Sequence, residues 1–184
     1  MDKRIVKTRN AIYRAFIEEL KEKPLEKITV EDLLKRSEVS RSTFYSHFKT
    51  KNEVLDSVAD DIFSHVLSTS LRGELTHDFS KNDVFDYHHL ITHIFYHFRD
   101  EQDLISAILS SSGREAFIAT LRKRISPLAE KCLRVGYIMQ KKIPLDLQME
   151  QVANNFVILL SYWFNDGLKE SPEEMTDLFF ELSR

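Results

Sequence analysis

One cysteine, four glycines, four prolines and one tryptophan are all that a chain of 184 residues contains of these types. A lone cysteine, Cys132, excludes an internal disulfide and fits a reducing compartment. Glycine and proline are too scarce for a low-complexity linker, and no internal repeat is present. No run approaches the ~20 apolar residues needed to cross a bilayer, and no N-terminal apolar stretch reads as a signal peptide. The expectation is a cytoplasmic protein. Catalytic signatures are missing too: there is no Gly-rich phosphate loop, no G-x-S-x-G and no H-E-x-x-H. Adjacent carboxylates such as Glu18–Glu19 and Asp60–Asp61 fall on different parts of a helix surface and read as solubilising charge. No enzyme is expected.

The net charge of −3 hides an asymmetry: residues 1–50 carry +4 and residues 51–184 carry −7. A basic head on an acidic body points to a polyanionic partner for the head, since Lys and Arg near phosphates release counterions. At this length a small and a larger helical domain are expected.

The most informative segment is Thr29–Glu53, TVEDLLKRSEVSRSTFYSHFKTKNE. Thr29 with Asp32, Ser40, and Thr50 with Glu53 are N-cap signals, the last read as a full capping box. They predict helices over Thr29–Lys35, Ser40–His47 and Thr50–Ser70, after an opening helix from Lys3 to Lys23. The turn between the first two of these is only about four residues long, which forces a sharp crossing. Ile12, Ala15, Phe16 and Leu20 recur at helical spacing. With Ile28, Val30, Leu33, Leu34, Val39, Phe44, Phe48, Val54, Leu55 and Val58 they predict one small apolar cluster. The helix from Ser40 is then apolar on one side and crowded with hydroxyls, an Arg, a Tyr and a His on the other. That is the pattern of a helix-turn-helix recognition helix.

Residues 8–67 resemble the DNA-binding domain of the TetR/AcrR family of bacterial regulators. The resemblance rests on Thr8-Arg9, Ala15-Phe16, Ile28-Thr29-Val30 and the string from Val39 to Lys51, S-x-x-T-F-Y-x-H-F-x-x-K. It implies double-stranded DNA as partner. Thr29 would bind a phosphate; Ser40, Ser42 and Thr43 would donate to phosphates or base edges. Arg41 would read a base, Tyr45 would reach a phosphate or a thymine methyl, and His47 and Lys51 would clamp the backbone. Two departures stand out: Glu38 and Ser42 occupy positions where many relatives have Gly. Glu38 falls in the turn, where Gly adopts a left-handed backbone more cheaply.

The polar stretch 68–82 marks the expected boundary, dividing a DNA-binding domain (1–67) from an effector-binding and dimerisation domain (68–184). The body reads as helices over Asp83–Arg99, Gln102–Ser110, Arg114–Gln140 with a kink at Pro127, Leu145–Leu168, and a last one capped by Ser171. The fold class is therefore all-α, with about nine helices and the fourth joining the two domains. The segment Leu109–Phe117 is similar to one C-terminal subgroup of the family.

Val152, Phe156, Leu159, Leu160 and Trp163, with Met175, Leu178, Phe179 and Leu182, form two wide apolar stripes on the last two helices. They are expected to build a four-helix homodimer interface, as TetR-like chains do; the alternative is that they complete the monomer core. A two-fold dimer would set its recognition helices about 34–36 Å apart, matching a palindromic site. Phe95, Phe98, Phe117, Tyr137, Tyr162 and Trp163 are either core or the lining of a small-molecule effector pocket, which the resemblance implies. Control by a protein partner, as in the dihydroxyacetone kinase regulators of that subgroup, is the alternative. His89, His93 and His97, with His88 beside them, lie off the apolar face of their helix. They read as a solvated stripe, with a metal site as the lesser alternative. No cofactor is expected.

Overall fold

The computed structural model describes residues 3–67, 77–81, 83 and 85–184. Its helices are α1 (Lys3–Glu22), α2 (Val30–Ser37), α3 (Arg41–His47), α4 (Lys51–Val66), α5 (Tyr87–Asp100), α6 (Gln102–Leu109), α7 (Arg114–Arg134), α8 (Leu145–Asn165) and α9 (Pro172–Leu182), with a 3-10 turn at Leu25–Lys27. Among the described residues there is no strand, and no helix is long and apolar enough to cross a membrane. Most of the polar stretch predicted as a boundary, and the end of the helix predicted to reach Ser70, lie outside the described residues.

Where helix ends differ from expectation, the cause is local. Helix α5 begins at Tyr87 and not Asp83, because the Asp86 carboxylate accepts from the His88 and His89 N–H groups. Helix α7 runs on through Pro127 and stops at Arg134, short of Gln140. Gly136, at φ 84°, turns the chain there, and the Ile138 N–H returns to the Cys132 carbonyl at 3.1 Å. Helix α8 stops at Asn165 in a Schellman closure: Gly167 has φ 78°, and the Leu168 N–H donates to the Trp163 carbonyl at 2.9 Å. Helix α9 opens on the predicted Ser171 cap, which Glu174 completes into a capping box.

The packing divides into two compact units, Met1–Val58 with Asp103–Phe117, and Ala59–Gln102 with Ile118–Arg184. Helix α4 thus contributes residues to both. In the first unit, the predicted cluster is buried from Ile12 to Val58, with Val30 and Val39 half-buried at its edge. Leu104, Ile105, Ile108, Leu109 and Phe117 add to that core. The Leu25 N–H donates to Ser112 Oγ at 2.7 Å, and a Cβ on Gly113 would come within 3.4 Å of a Leu25 methyl. Glu19 corrects the sequence reading. It is buried and ion-paired with Arg36 (2.6 Å) and Lys23 (2.9 Å), so it ties α1 to α2. Glu19 is the buried member of these pairs, while Arg36 and Lys23 remain about a third exposed or less.

In the second unit, aromatic rings from α5, α8 and α9 fill the centre. Phe95 stacks on Phe156 at 5.1 Å and meets Trp163 edge-on at 5.6 Å; Phe156 meets Phe179 at 6.0 Å. Three polar side chains buried among them find backbone partners. Asn155 Nδ2 donates to the Leu182 carbonyl (3.1 Å), Trp163 Nε1 to that of Glu170 (2.9 Å), and Gln148 brackets the Met139–Lys141 backbone.

Candidate DNA-binding surface

Three caps set the geometry of α2 and α3. Thr29 Oγ1 accepts from the Asp32 N–H, while the Asp32 carboxylate accepts from the Thr29 N–H (2.8 Å) and hydroxyl (2.7 Å). Lys23 closes on the same carboxylate at 2.7 Å. The Lys23 ammonium first, and then Thr29, hold the Asp32 carboxyl far below the usual carboxylate range. A phosphate approaching Thr29 therefore competes with the protein's own carboxylate. Ser40 caps α3, accepting from the Thr43 N–H at 3.1 Å and hydrogen-bonding the Thr43 (2.7 Å) and Ser42 (3.1 Å) hydroxyls. Thr50 accepts from the Glu53 N–H. The Glu53 carboxylate, however, turns to the Lys49 N–H at 2.7 Å, so the predicted capping box is only half formed.

Between α2 and α3, Glu38 adopts φ 56°, ψ 21°. This is a left-handed turn held by a residue other than glycine. It costs about 1 kcal/mol or more in a residue with a Cβ.

Phe44 of α3 and Phe48, which caps its C-terminal end, are buried anchors packed 5.8 Å apart. Arg9 lays its guanidinium over Phe48 at 5.0 Å and donates to the Tyr13 hydroxyl, which bonds Ser57 Oγ of α4. Arg41, Ser42 and Tyr45 are exposed, while Thr43 and His47 are half-buried. Arg41 pairs with Glu31 of α2, and both side chains remain more than 60% exposed. An exposed ion pair contributes at most about 1 kcal/mol, so it orients Arg41 without preventing exchange for a base.

Lys51 is placed differently from the backbone clamp the resemblance implied. Its ammonium donates to the carbonyls of Leu25 (2.6 Å), Glu26 (2.9 Å) and Ile28 (2.7 Å). An ammonium has three protons, so none is left for a phosphate in this conformation. Lys51 fastens the segment leading into α2 to the start of α4.

The body residues also sort differently from expectation. Phe95, Phe98 and Trp163 are fully buried against other rings, Phe117 belongs to the core of the other unit, and Tyr137 and Tyr162 are exposed. They do not converge on one pocket. A cavity of about 190 Å³ in the second unit is lined instead by Asp60, Phe63, Ser64, Leu67, Lys123, Arg124, Pro127, Leu128 and Lys131. It is smaller than usual drug-sized sites, which start at about 300 Å³.

The expected dimer stripe is corrected likewise. Val152, Phe156, Leu159, Leu160, Trp163, Met175 and Phe179 are buried within the chain, and only Leu178 and Leu182 of that set are exposed. The outward apolar residues on α8 are Leu147, Ile158 and Tyr162. Cys132 is buried as expected, and burial pushes its thiol up to about 12.

The histidines depart most from the sequence reading. His88 and His89 are partly exposed and pair with Asp177 and Asp86. His93, by contrast, is 2% exposed, and its Nε2 lies 3.1 Å from Nε2 of His97. Sequence spacing brought out His93 and His97. It gave no signal for their companions His65, from α4, and His77.

A short capped helix, anchored by Phe44 and Phe48 and polar on its outer side, following α2 across a tight turn is the helix-turn-helix arrangement. The description "bacterial regulatory proteins, tetR family" matches residues 12–58, and "transcriptional regulator C-terminal region" matches 86–184; the chain belongs to the TetR family. Proteins of this family are DNA-binding regulators that typically act as dimers. Over 98% of its length the chain is 23% identical to a Bacillus subtilis (strain 168) protein described as the uncharacterized HTH-type transcriptional regulator YxbF. It covers 46% of that relative, and so spans about half its length. Its fold is similar to that of a TetR transcriptional regulator from Streptococcus agalactiae 2603V, with TM-score 0.65, 29% identity and coverage of 100% of this chain and 97% of that one. The dihydroxyacetone kinase operon activator DhaS shares the fold at TM-score 0.62 and 14% identity, covering 96% of this chain and 93% of that chain.

Proposed function

We propose that this regulator is an effector-responsive repressor that binds a palindromic operator as a homodimer in the cytoplasm. The observation carrying this reading is α3 itself: Arg41, Ser42 and Tyr45 are exposed on a helix whose other side is anchored by Phe44 and Phe48. Arg41 reads a base, worth about 1–3 kcal/mol of discrimination if bidentate to guanine. Ser40, Ser42, Thr43, Tyr45 and His47 reach phosphates or base edges, and Thr29 takes a phosphate on exchange of its bond to Asp32. Residues 1–67 serve as the DNA-binding domain and 68–184 as the effector and dimer domain. The two chains pair through Leu147, Ile158 and Tyr162 of α8 with Leu178 and Leu182 of α9. These side chains remain exposed after the rest of the stripe is buried. Effector binding to the body shifts α4 and so alters the spacing of the two recognition helices. Loss of register at one half-site then costs much of the affinity.

A second reading, control by a protein partner, is favoured by one observation: the aromatic rings first assigned to a pocket pack against one another or stand exposed. The test of DNA recognition is a gel shift with DNA from around the protein's own gene, with excess competitor and at several salt concentrations. A competitor-resistant complex is expected, relaxed at one base per half-site by Arg41→Ala. Weak, salt-sensitive binding unaffected by Arg41→Ala would defeat the assignment.

A further inference from the structure

Four imidazoles meet inside the second unit. His93 and His97 lie one turn apart on α5, His65 comes from α4, and His77 precedes α5. The ring centroids are 4.8 Å apart for His93–His97, His65–His97 and His77–His93, 5.1 Å for His77–His97, and 5.4 Å for His65–His93. Phe79 stacks on His93 at 4.6 Å and closes one side. His65, His93 and His97 each offer a ring nitrogen, and these nitrogens all lie within 4.8 Å of one another.

An apolar core gains little from such a group. Each neutral imidazole has one donor and one acceptor that burial must match. His93 Nδ1 is buried with no hydrogen-bond partner among the described residues. Two of the rings meet through the 3.1 Å Nε2–Nε2 approach of His93 and His97. That separation is close to the geometry of two nitrogens on one ion. Metal–nitrogen bonds of about 2.0–2.1 Å at a tetrahedral angle set ligand nitrogens roughly 3.3–3.4 Å apart.

We propose that His65, His93 and His97, with His77 as the nearest further donor, bind one divalent transition-metal ion of the zinc class. An all-imidazole set selects zinc, cobalt, nickel or copper over calcium or magnesium, which demand oxygen ligands. His77 carries an orienting carboxylate of the kind metal-binding histidines use, Asp100 Oδ2, 3.6 Å from its Nδ1. The protonation states agree with the geometry. Burial first, and then the neighbouring imidazoles, hold both His93 and His97 down to about 3, so both present lone pairs at neutral pH.

His65 gives the site its regulatory interest. It lies on α4, the helix whose first residues, from Lys51 to Val58, belong to the DNA-binding unit. An ion drawing His65 toward α5 is thus a candidate for the effector itself. That consequence rests on the proposed effector-responsive reading; the site does not.

The test is a titration of the metal-free full-length protein with Co2+. One equivalent per chain is expected, with the visible bands of tetrahedral nitrogen-ligated Co2+, displaced by one equivalent of Zn2+. His65→Gln, His93→Gln and His97→Gln should each weaken uptake at least about 100-fold, more than loss of an outer partner costs. His89→Gln, exposed on the same helix, should not change it. If His93→Gln fails to fold, as a buried change can, the half-buried His65→Gln carries the same test, with circular dichroism to verify the fold. Absence of stoichiometric uptake, or uptake indifferent to His65→Gln and His97→Gln, would overturn the site. A gel shift with and without Zn2+ decides its role. A change of about tenfold or more in DNA affinity that disappears in His65→Gln makes the ion the effector. Uptake with unchanged affinity keeps the site and removes it from regulation.

Discussion

Lys51→Met separates two roles for one residue. In the structure the Lys51 ammonium is a brace, donating to the carbonyls of Leu25, Glu26 and Ile28 at 2.6–2.9 Å. Methionine keeps the alkyl stem and removes every donor. The bonds to Leu25 and Ile28 are part-buried and the bond to Glu26 is exposed. With about 1–1.5 kcal/mol for each part-buried bond and about half that for the exposed one, the loss is about 2–4 kcal/mol. Against a domain stability of about 5–15 kcal/mol this is large, and it should lower the urea midpoint without changing the slope. The carbonyls released lie directly before Thr29, so α2 should also lose its fixed entry.

The assay is urea unfolding of the variant beside the parent, followed by DNA binding across a salt series. A brace predicts a large stability loss and a salt slope close to the parent's in the folded fraction. A phosphate clamp predicts the reverse: a stability change below about 0.5 kcal/mol and a slope smaller by about one. The second pattern would refute the reasoning, and would mean that Lys51 leaves its carbonyls when DNA arrives.

Other outcomes follow from the same geometry. Glu38→Gly should stabilise the chain by about 0.5–1 kcal/mol in urea unfolding, since Glu38 sits at φ 56° and relief of the Cβ outweighs the entropy glycine adds to the unfolded chain. A loss of stability would mean the Glu38 side chain makes a compensating contact. Ile158→Glu, at a position 58% exposed, should convert dimer to monomer by sedimentation and abolish tight DNA binding while leaving the helical circular dichroism intact. A variant that remains dimeric would place the interface elsewhere.

Much of this molecule is local and therefore legible in its sequence. The caps at Thr29, Ser40 and Ser171 join residues three apart, so side-chain type and spacing sufficed to place them. The burial of Phe44 and Phe48 and the polar row on α3 follow from short-range periodicity, while the turn at Glu38 was marked by the family resemblance. Family and fold class were readable because that row and its turn sit in one contiguous string. What the sequence left open depends on residues far apart along the chain. The partners of Lys51 lie 23 to 26 positions away, and nothing in its local pattern distinguishes a brace from a clamp. The stripes on α8 and α9 are apolar over more than half a turn, so periodicity could not say which part meets the monomer core. The packing of α5, α8 and α9 decided it, burying Phe156 and leaving Ile158 outside. His93 and His97 were visible as a pair one turn apart, whereas a stripe on one helix is solvated unless another element covers it. Only the tertiary fold brings His65 and His77 onto that stripe, turning a row of surface imidazoles into a cluster around the buried His93.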